Sequence, residues 1–171
     1  MTKQISFIVC FVMAISINAQ SISQENSIVK NASLSDSHKT LVTAVKAAGL
    51  VKTLDSKGPF TVFAPTDAAF DEVPKSTLKS LLKPANKEKL QGLLTYHVVE
   101  GDFKAKDVVG LIKKNDGQAT VGTVNGGKLT LSLSYGDVKI KDQQGNTATV
   151  AKADLNSSNG VIHVVDKVLM P

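Results

Sequence analysis

The sequence predicts one domain of the α+β class, with helices in the first half of the chain and strands in the second. A length of 171 residues allows one ordinary domain. An apolar fraction of 42% is enough to build a hydrophobic core. Apolar residues recur at helical spacing as far as Asn115 and alternate with polar residues after it. The elements are therefore segregated along the chain, unlike the interleaved elements of a parallel βαβ array.

Residues 1–19 have the features of a secretory signal peptide: a basic start, an apolar run over residues 5–15, and the small residue Ala19 at the predicted cleavage point. The run is shorter than the ~20 apolar residues that a membrane-spanning helix needs. We therefore expect an exported protein, periplasmic or fully secreted, whose mature chain has no transmembrane anchor. Residues 20–33 are polar and are expected to form a flexible leader, and residues 34–171 are expected to form the domain.

The first predicted helix has an apolar face that includes Leu41 and Val45. Ser35 or Asp36 is its candidate N-cap, and Gly49 is placed to end it. Two more amphipathic helices are predicted at residues 74–83 and 86–95, and one or two further helical turns at residues 104–111.

Residues 60–64 predict a short buried strand, with alternate side chains facing two different layers of the domain. Pro65 ends this strand, and Thr66 or Asp67 is suited to cap a short helix that carries Phe70. Alternating patterns and turn residues predict the other strands, at residues 96–99, 120–124, 128–133, 138–141, 147–151, 161–165 and 168–170.

Composition excludes several classes of protein. All 20 basic residues are lysines, and the formal net charge of +5 is spread along the chain. Nucleic-acid readers usually rely on arginine, so no nucleic-acid partner is expected. The one cysteine, Cys10, lies in the predicted signal, which excludes a disulfide scaffold and a multi-cysteine zinc site. The absence of tryptophan argues against a sugar-binding platform built on that residue.

Three segments occur in order along the chain: GPFTVFAPTDAAF at 58–70, LLTYHVVEG at 93–101 and NGVIHVVDKVLMP at 159–171. Together they resemble the signature blocks of the fasciclin, or FAS1, domain family. The resemblance implies a β-sandwich-like wedge with several helices packed on one side. It also implies a single-module protein of bacterial type, without an active site or cofactor, that acts in adhesion.

The expected function is that of a secreted or cell-surface interaction module. Its partner would be a cell-surface or matrix protein or a polysaccharide, bound through exposed loops without catalysis. The sequence contains no Gly-x-Ser-x-Gly elbow and no His-Glu-x-x-His motif, so an enzyme is not expected. The alternative is a periplasmic carrier that holds a small ligand or lipid in an apolar cleft between helices and sheet. The oligomeric state stays open.

Tyr96 and His97 are the neighbouring side chains best suited to take part in chemistry or recognition. Apolar residues surround them, so we expect a buried imidazole that bonds neighbouring groups such as the Thr66-Asp67 turn. The resemblance implies a second role for this pair, because the same block of the family is credited with cell-surface binding. Apart from that second role, we expect His97 to be structural, together with Thr66, Asp67 and Gly160.

The resemblance also places an adhesion motif at Asp154 and Leu155. Vertebrate matrix members of the family carry an Asp-Ile integrin contact just before the closing block, although Lys152 and Ala153 replace its preceding Glu-Pro here. An exposed carboxylate beside an aliphatic side chain suits a receptor contact. The alternative is a loop aspartate that faces water and a leucine that is turned into the core.

Histidines at positions 38, 97 and 163 show no short metal-ligand spacing, so no metal site is expected. Asn31 and Asn156 begin formal glycosylation sequons, which matter only if the host glycosylates its exported proteins.

Overall fold

The computed structural model describes residues 22–171, so the predicted signal peptide at 1–19 lies outside the described residues. The helices are α1 (Ile28–Leu34), α2 (Lys39–Ala48), α3 (Val51–Leu54), α4 (Asp67–Asp71), α5 (Lys75–Leu81), α6 (Lys87–Tyr96) and α7 (Ala105–Lys114). The strands are β1 (Phe60–Pro65), β2 (Val98–Glu100), β3 (Gln118–Gly122), β4 (Lys128–Ser134), β5 (Asp137–Lys141), β6 (Thr147–Ser157) and β7 (Gly160–Val165). The domain is α+β, as the sequence predicted.

The strands form a sheet in the order β2-β1-β7-β6-β5-β4-β3. β1 and β7 pair in parallel, and the other neighbouring strands pair antiparallel. β6 has two register shifts opposite β7, between Val150 and Lys152 and between Lys152 and Leu155. A bridge between Val99 and Thr123 connects the two ends of the sheet, so the sheet nearly closes into a wedge.

Strand β1 lies between two hydrophobic cores. Val62 and Ala64 belong to the core that the sheet shares with the helices, where they pack among side chains such as Leu41 of α2. Phe63 belongs to the core inside the wedge, together with Ile112 of α7. Alternate residues therefore serve different layers, as the sequence predicted, and both faces of β1 are buried.

Several helix ends differ from prediction, and two of them lie next to residues of interest. The first predicted helix starts at Lys39 instead of next to Ser35 or Asp36, whereas Gly49 ends it in the left-handed conformation at φ 72° as expected. Tyr96, predicted in a strand, is the last residue of α6. The backbone of α6 continues its helical hydrogen bonding for one residue beyond the local pattern.

The C-terminal segment 168–170 was predicted as a strand and lies outside the sheet. The Leu169 amide donates to His97 Nε2 at 2.9 Å, and the Met170 amide donates to Asp142 Oδ2 at 3.0 Å. Side chains therefore take the place of a neighbouring strand in satisfying these amides.

Within the predicted leader at 20–33, residues 28–33 form most of helix α1 instead of flexible chain. Ser27 caps the helix, and Ile28 and Asn31 are 2% and 1% exposed. The Asn31 amide Nδ2 donates to Asn156 O, Ser157 Oγ and Ser23 O. The side chain of this sequon asparagine is therefore buried and hydrogen-bonded within the domain. The segment carries too few apolar residues to give a helical pattern, and its contacts are distant in the chain: Asn31 bonds β6, and Ile28 packs in the helical core.

Gly160 begins β7 and lies opposite Phe60 of β1 in the parallel pair. A Cβ atom at Gly160 would lie 1.9 Å from the Phe60 carbonyl oxygen, and the residue has a φ of 152°. Glycine is therefore the residue that lets the two strands approach.

We expect Gly160→Ala to lower the free energy of unfolding by about 3 kcal/mol or more, because backbone must move to accept the methyl group. Gly122→Ala is the matched control, since a Cβ there meets nothing within 4 Å. Urea unfolding of both variants checks this, and equal stability would contradict the close approach.

Candidate functional site

His97 joins α6 to the C-terminal segment from a buried position. Its Nδ1 lies 2.9 Å from the Leu93 carbonyl, and its Nε2 accepts from the Leu169 amide at 2.9 Å. Burial lowers the pKa of His97 to about 4, although the hydrogen bond to the Leu93 carbonyl and the negative charge of Asp142 act to raise it. The imidazole is thus neutral, with Nδ1 protonated, and structural. Its partners differ from the predicted Thr66-Asp67 turn.

Tyr96 is also buried, and its hydroxyl links two further parts of the sheet. The hydroxyl donates to the Lys128 carbonyl at 2.9 Å and accepts from the Gln143 amide at 3.1 Å. The phenol ring packs closely enough against Gly127 that a Cβ there would lie 2.5 Å from it. Tyr96 and His97 are 0% and 2% exposed, so both side chains lie inside the folded domain, and the adhesion role expected for this pair stays a prediction.

Thr66 and Asp67 cap two different helices. The Thr66 hydroxyl accepts from the Ala69 amide and caps α4, as predicted. The Asp67 carboxylate accepts from the Thr40 and Lys39 amides at 2.7 and 3.3 Å, at the start of α2. Burial acts to raise the pKa of Asp67, but these hydrogen bonds lower it overall. Asp67 therefore supplies a cap that His38, the residue before α2, does not provide.

His163 connects β7 to the segment that precedes α7. Its Nε2 donates to the Phe103 carbonyl at 2.7 Å, and its Nδ1 lies 3.4 Å from the Asp154 amide. The ring stacks on Phe63 with centroids 5.8 Å apart. Burial lowers the pKa of His163, as it also lowers that of His38. No group of three or more His, Cys, Asp or Glu within residues 22–171 could hold a metal ion.

Asp154 and Leu155 lie inside strand β6, at its second register shift, and not in the expected loop. Asp154 is exposed, has a φ of 58°, and accepts through Oδ1 from the Ala105 amide at 2.7 Å. It therefore supports the first residue of α7. Leu155 is partly buried against the helical core, so its side chain is turned inward. The structure thus places the aliphatic half of the predicted motif in the fold.

A polar groove of about 700 Å³ lies beside these residues. We define it by four segments that converge there: Asp55–Pro59 before β1, Asp102 and Lys104 before α7, Asn156–Val161 at the β6–β7 turn, and Gln24. The volume is within the ~300–1,000 Å³ typical of ligand sites. Sequence reasoning missed the groove because its segments are far apart in the chain. The only local signals were the turn pairs Gly58-Pro59 and Asn159-Gly160.

Several side chains of the groove make no hydrogen bond within the fold. Among the described residues, Asp55, Lys57, Asn156 and Ser158 have no side-chain hydrogen-bond partner. Asn159 instead fixes the walls: its Nδ2 donates to the Leu54 and Ser56 carbonyls, and its Oδ1 accepts from the Ile28 amide. The groove thus combines free donors and acceptors with a backbone held by internal hydrogen bonds.

The apolar space between the helices and the sheet is much smaller. A void of about 30 Å³ is lined by side chains such as Val42, Leu94 and Ile162. This is about the volume of one water molecule, far below that of a lipid or drug-sized ligand. The closed structure therefore does not favour the ligand-carrier alternative. Across residues 22–171, no helix is long and apolar enough to cross a membrane.

The nearly closed wedge with a helical layer is an α+β domain of the sandwich type. Its sequence assigns it to a family. Residues 36–171 match the Fasciclin domain family, and the chain belongs to this family. Protein sll1483 of Synechocystis sp. is 47% identical over 144 residues, which cover 84% of this chain and 73% of that protein. The suspected resemblance is confirmed.

Two more distant similarities connect the chain to animal proteins. Transforming growth factor-beta-induced protein ig-h3 of Sus scrofa is 34% identical over 131 residues, 77% of this chain but only 17% of that protein. A solved FAS1 domain pair from the insect cell adhesion molecule fasciclin I has a TM-score of 0.75 at 18% identity. It covers 85% of this chain and 51% of the fasciclin I chain. The solved structure confirms the fold.

We expect stability to fall as the pH is lowered from 6.5 towards 4. The unfolded His97 binds a proton near pH 6.5, whereas the folded side chain has a pKa of about 4. Over that window the unfolded state therefore binds more protons, and His97 alone accounts for a loss of about 3 kcal/mol. His38 and His163 act in the same direction.

Urea unfolding at several pH values checks this, with His97→Gln as the variant. The variant is expected to be less stable at pH 7 but to show a clearly smaller loss on acidification. The same pH dependence in both proteins would contradict a neutral, buried His97.

We also expect Asp154→Ala to lower the free energy of unfolding by about 1–2 kcal/mol, because the Ala105 amide loses its acceptor and alanine tolerates a positive φ poorly. Asp154→Asn is the control, since asparagine accepts the same hydrogen bond and adopts this conformation more readily. Thermal unfolding of both variants is the measurement. Native-like stability of the alanine variant would refute the structural role.

Proposed function

We propose that the protein is an exported, non-catalytic interaction module that binds a cell-surface or matrix protein or a polysaccharide through exposed loops. The observation that carries this proposal is the polar groove, where four separate segments present unpaired polar side chains. Export would follow from the predicted signal peptide at residues 1–19.

The groove is suited to binding because its shape is set before a ligand arrives. The Asn159 side chain joins the β6–β7 turn to the segment before β1 and to α1. The Ser158 amide adds a hydrogen bond to the Asn26 carbonyl at 2.8 Å. Walls that are already ordered lose little conformational entropy when a partner binds, so more of the contact energy appears as affinity.

The charges of the groove favour a polar partner without a strong net charge. Asp55 and Asp102 provide acceptors, Lys57 provides donors, and the Asn156 amide provides both. Such a mixture matches the hydroxyl groups of a glycan or the backbone and polar side chains of a protein loop. It does not match the concentrated positive charge that nucleic acid requires.

The other chemistry-bearing side chains support a binding role by their position in the fold. Tyr96, His97 and His163 are buried and hydrogen-bonded within the domain. They hold strands and helices together, as a scaffold for exposed loops requires. The relation to the cell adhesion molecule fasciclin I points in the same direction.

Asp154 stays a contact candidate in this proposal. Its Oδ1 caps α7, but the carboxylate is exposed at the same end of β6 from which the groove residues 156–158 follow. Leu155 supports this position from within the core and does not contact the partner.

We expect the double substitution Asp102→Ala with Asn156→Ala to reduce binding to surface material at least about 10-fold, since each removes a groove side chain that makes no hydrogen bond within the fold. The measurement is capture of separated protein and polysaccharide fractions from the producing cells by the immobilised protein. The control is Lys75→Ala with Thr77→Ala on exposed helix α5.

Both double variants are expected to unfold at nearly the native temperature. Undiminished binding by the groove variant would show that the partner contacts a surface other than the groove. Binding of neither fraction by the native protein would contradict the proposed function itself.

A further inference from the structure

Tyr135 is a fully exposed aromatic side chain, with a relative exposure of 106%. It lies at the tip of the β4–β5 hairpin, between the paired residues Ser134 and Asp137. Among the described residues it makes no hydrogen bond and no ring contact. The phenol ring therefore contributes nothing visible to the packing of the domain.

The backbone makes this choice of residue unfavourable as well. Tyr135 and Gly136 have φ values of 53° and 93°, the combination of a two-residue type I′ turn. Asn-Gly is the preferred sequence for such a turn, because asparagine adopts a positive φ more readily than an aromatic residue does. A side chain that breaks a local rule without a compensating contact points to a function outside the fold.

The hairpin holds this tip in place. Val138, next to the turn, packs against the core inside the wedge. It lines a small apolar space together with Phe63, Val108 and Val150. The ring is thus presented from a strand pair anchored at its base, and few backbone degrees of freedom would be lost on binding.

The surroundings of Tyr135 favour a sugar over a protein partner. Leu131 and Ile140 point into the core, so Ser132, Ser134 and Lys139 occupy the opposite face of the hairpin. The Lys139 ammonium group donates to Thr149 Oγ1 of β6 at 2.7 Å, which extends the polar face onto the next strand. Protein hot spots usually lie within a larger apolar patch, which is missing here.

We propose that Tyr135 is a polysaccharide contact, in which a sugar ring stacks on the phenol face while the neighbouring hydroxyl and ammonium groups bond its hydroxyls. This inference rests on the proposed function as an extracellular interaction module, but it concerns a surface other than the polar groove. Acidic polysaccharides bind more tightly than neutral ones, because the hairpin carries lysines at 128, 139 and 141 against one acid, Asp137.

The test uses the full exported protein and two defined probes, alginate as an acidic polysaccharide and dextran as a neutral one. Tyr135→Asn is expected to raise the melting temperature while it lowers alginate affinity at least about 10-fold, since the turn gains its preferred residue and the probe loses its stacking surface. Tyr135→Phe is expected to keep affinity within about 3-fold, because the ring remains.

Val124→Asn is the matched control, since Val124 is another exposed apolar side chain at a turn of the same sheet. It is expected to leave alginate binding unchanged. Weaker binding by Tyr135→Asn together with its higher melting temperature supports the inference, because a merely structural role would lower both.

Native-like alginate binding by Tyr135→Asn overturns the inference. Failure of the native protein to bind either polysaccharide also overturns it, and the proposed function then stands if the cell-surface protein fraction is still captured. If the native protein captures no surface material at all, the inference and the proposed function fail together.

Discussion

The domain depends on the parallel pairing of β1 with β7, two strands about 100 residues apart in the chain. Every residue of β1 is matched with one of β7, from Phe60 with Gly160 to Pro65 with Val165. Val62 and Ile162 serve the helical core, while Phe63 and Val165 serve the core of the wedge. Because this pair contributes side chains to both cores, the helical layer and the wedge both pack against it.

Hydrogen-bonded polar side chains fix the parts that surround this pair. His97 ties α6 to the C-terminal segment, Asp67 completes α2, and Asn159 joins three segments at one end of the wedge. Each has its polar atoms paired with backbone groups that no helix or strand would otherwise satisfy. These polar side chains therefore act as structural connections within the fold.

Two kinds of surface result from this arrangement. The polar groove presents unpaired charges and amides on a backbone held by Asn159, and the β4–β5 hairpin presents one aromatic ring on a polar strand pair. Both have an ordered backbone. The β4–β5 hairpin lies outside the three blocks that carry the family resemblance, whereas the groove includes Gly58 and Pro59 of the first block and Asn159–Val161 of the closing block.

The sequence by itself determined the α+β class, the fasciclin blocks, the two-faced strand β1, and the caps at Thr66 and Gly49. These features depend on residues within a turn or a strand of one another, where periodicity and local hydrogen bonding act. Only the tertiary structure decided that residues 28–34 are helical, that Asp67 caps α2 across 27 residues, and that Leu155 faces inward. It also formed the groove. Such contacts join residues up to 131 positions apart, as with Ile28 and Asn159. These contacts depend on how the whole chain packs, so no local sequence pattern predicts them.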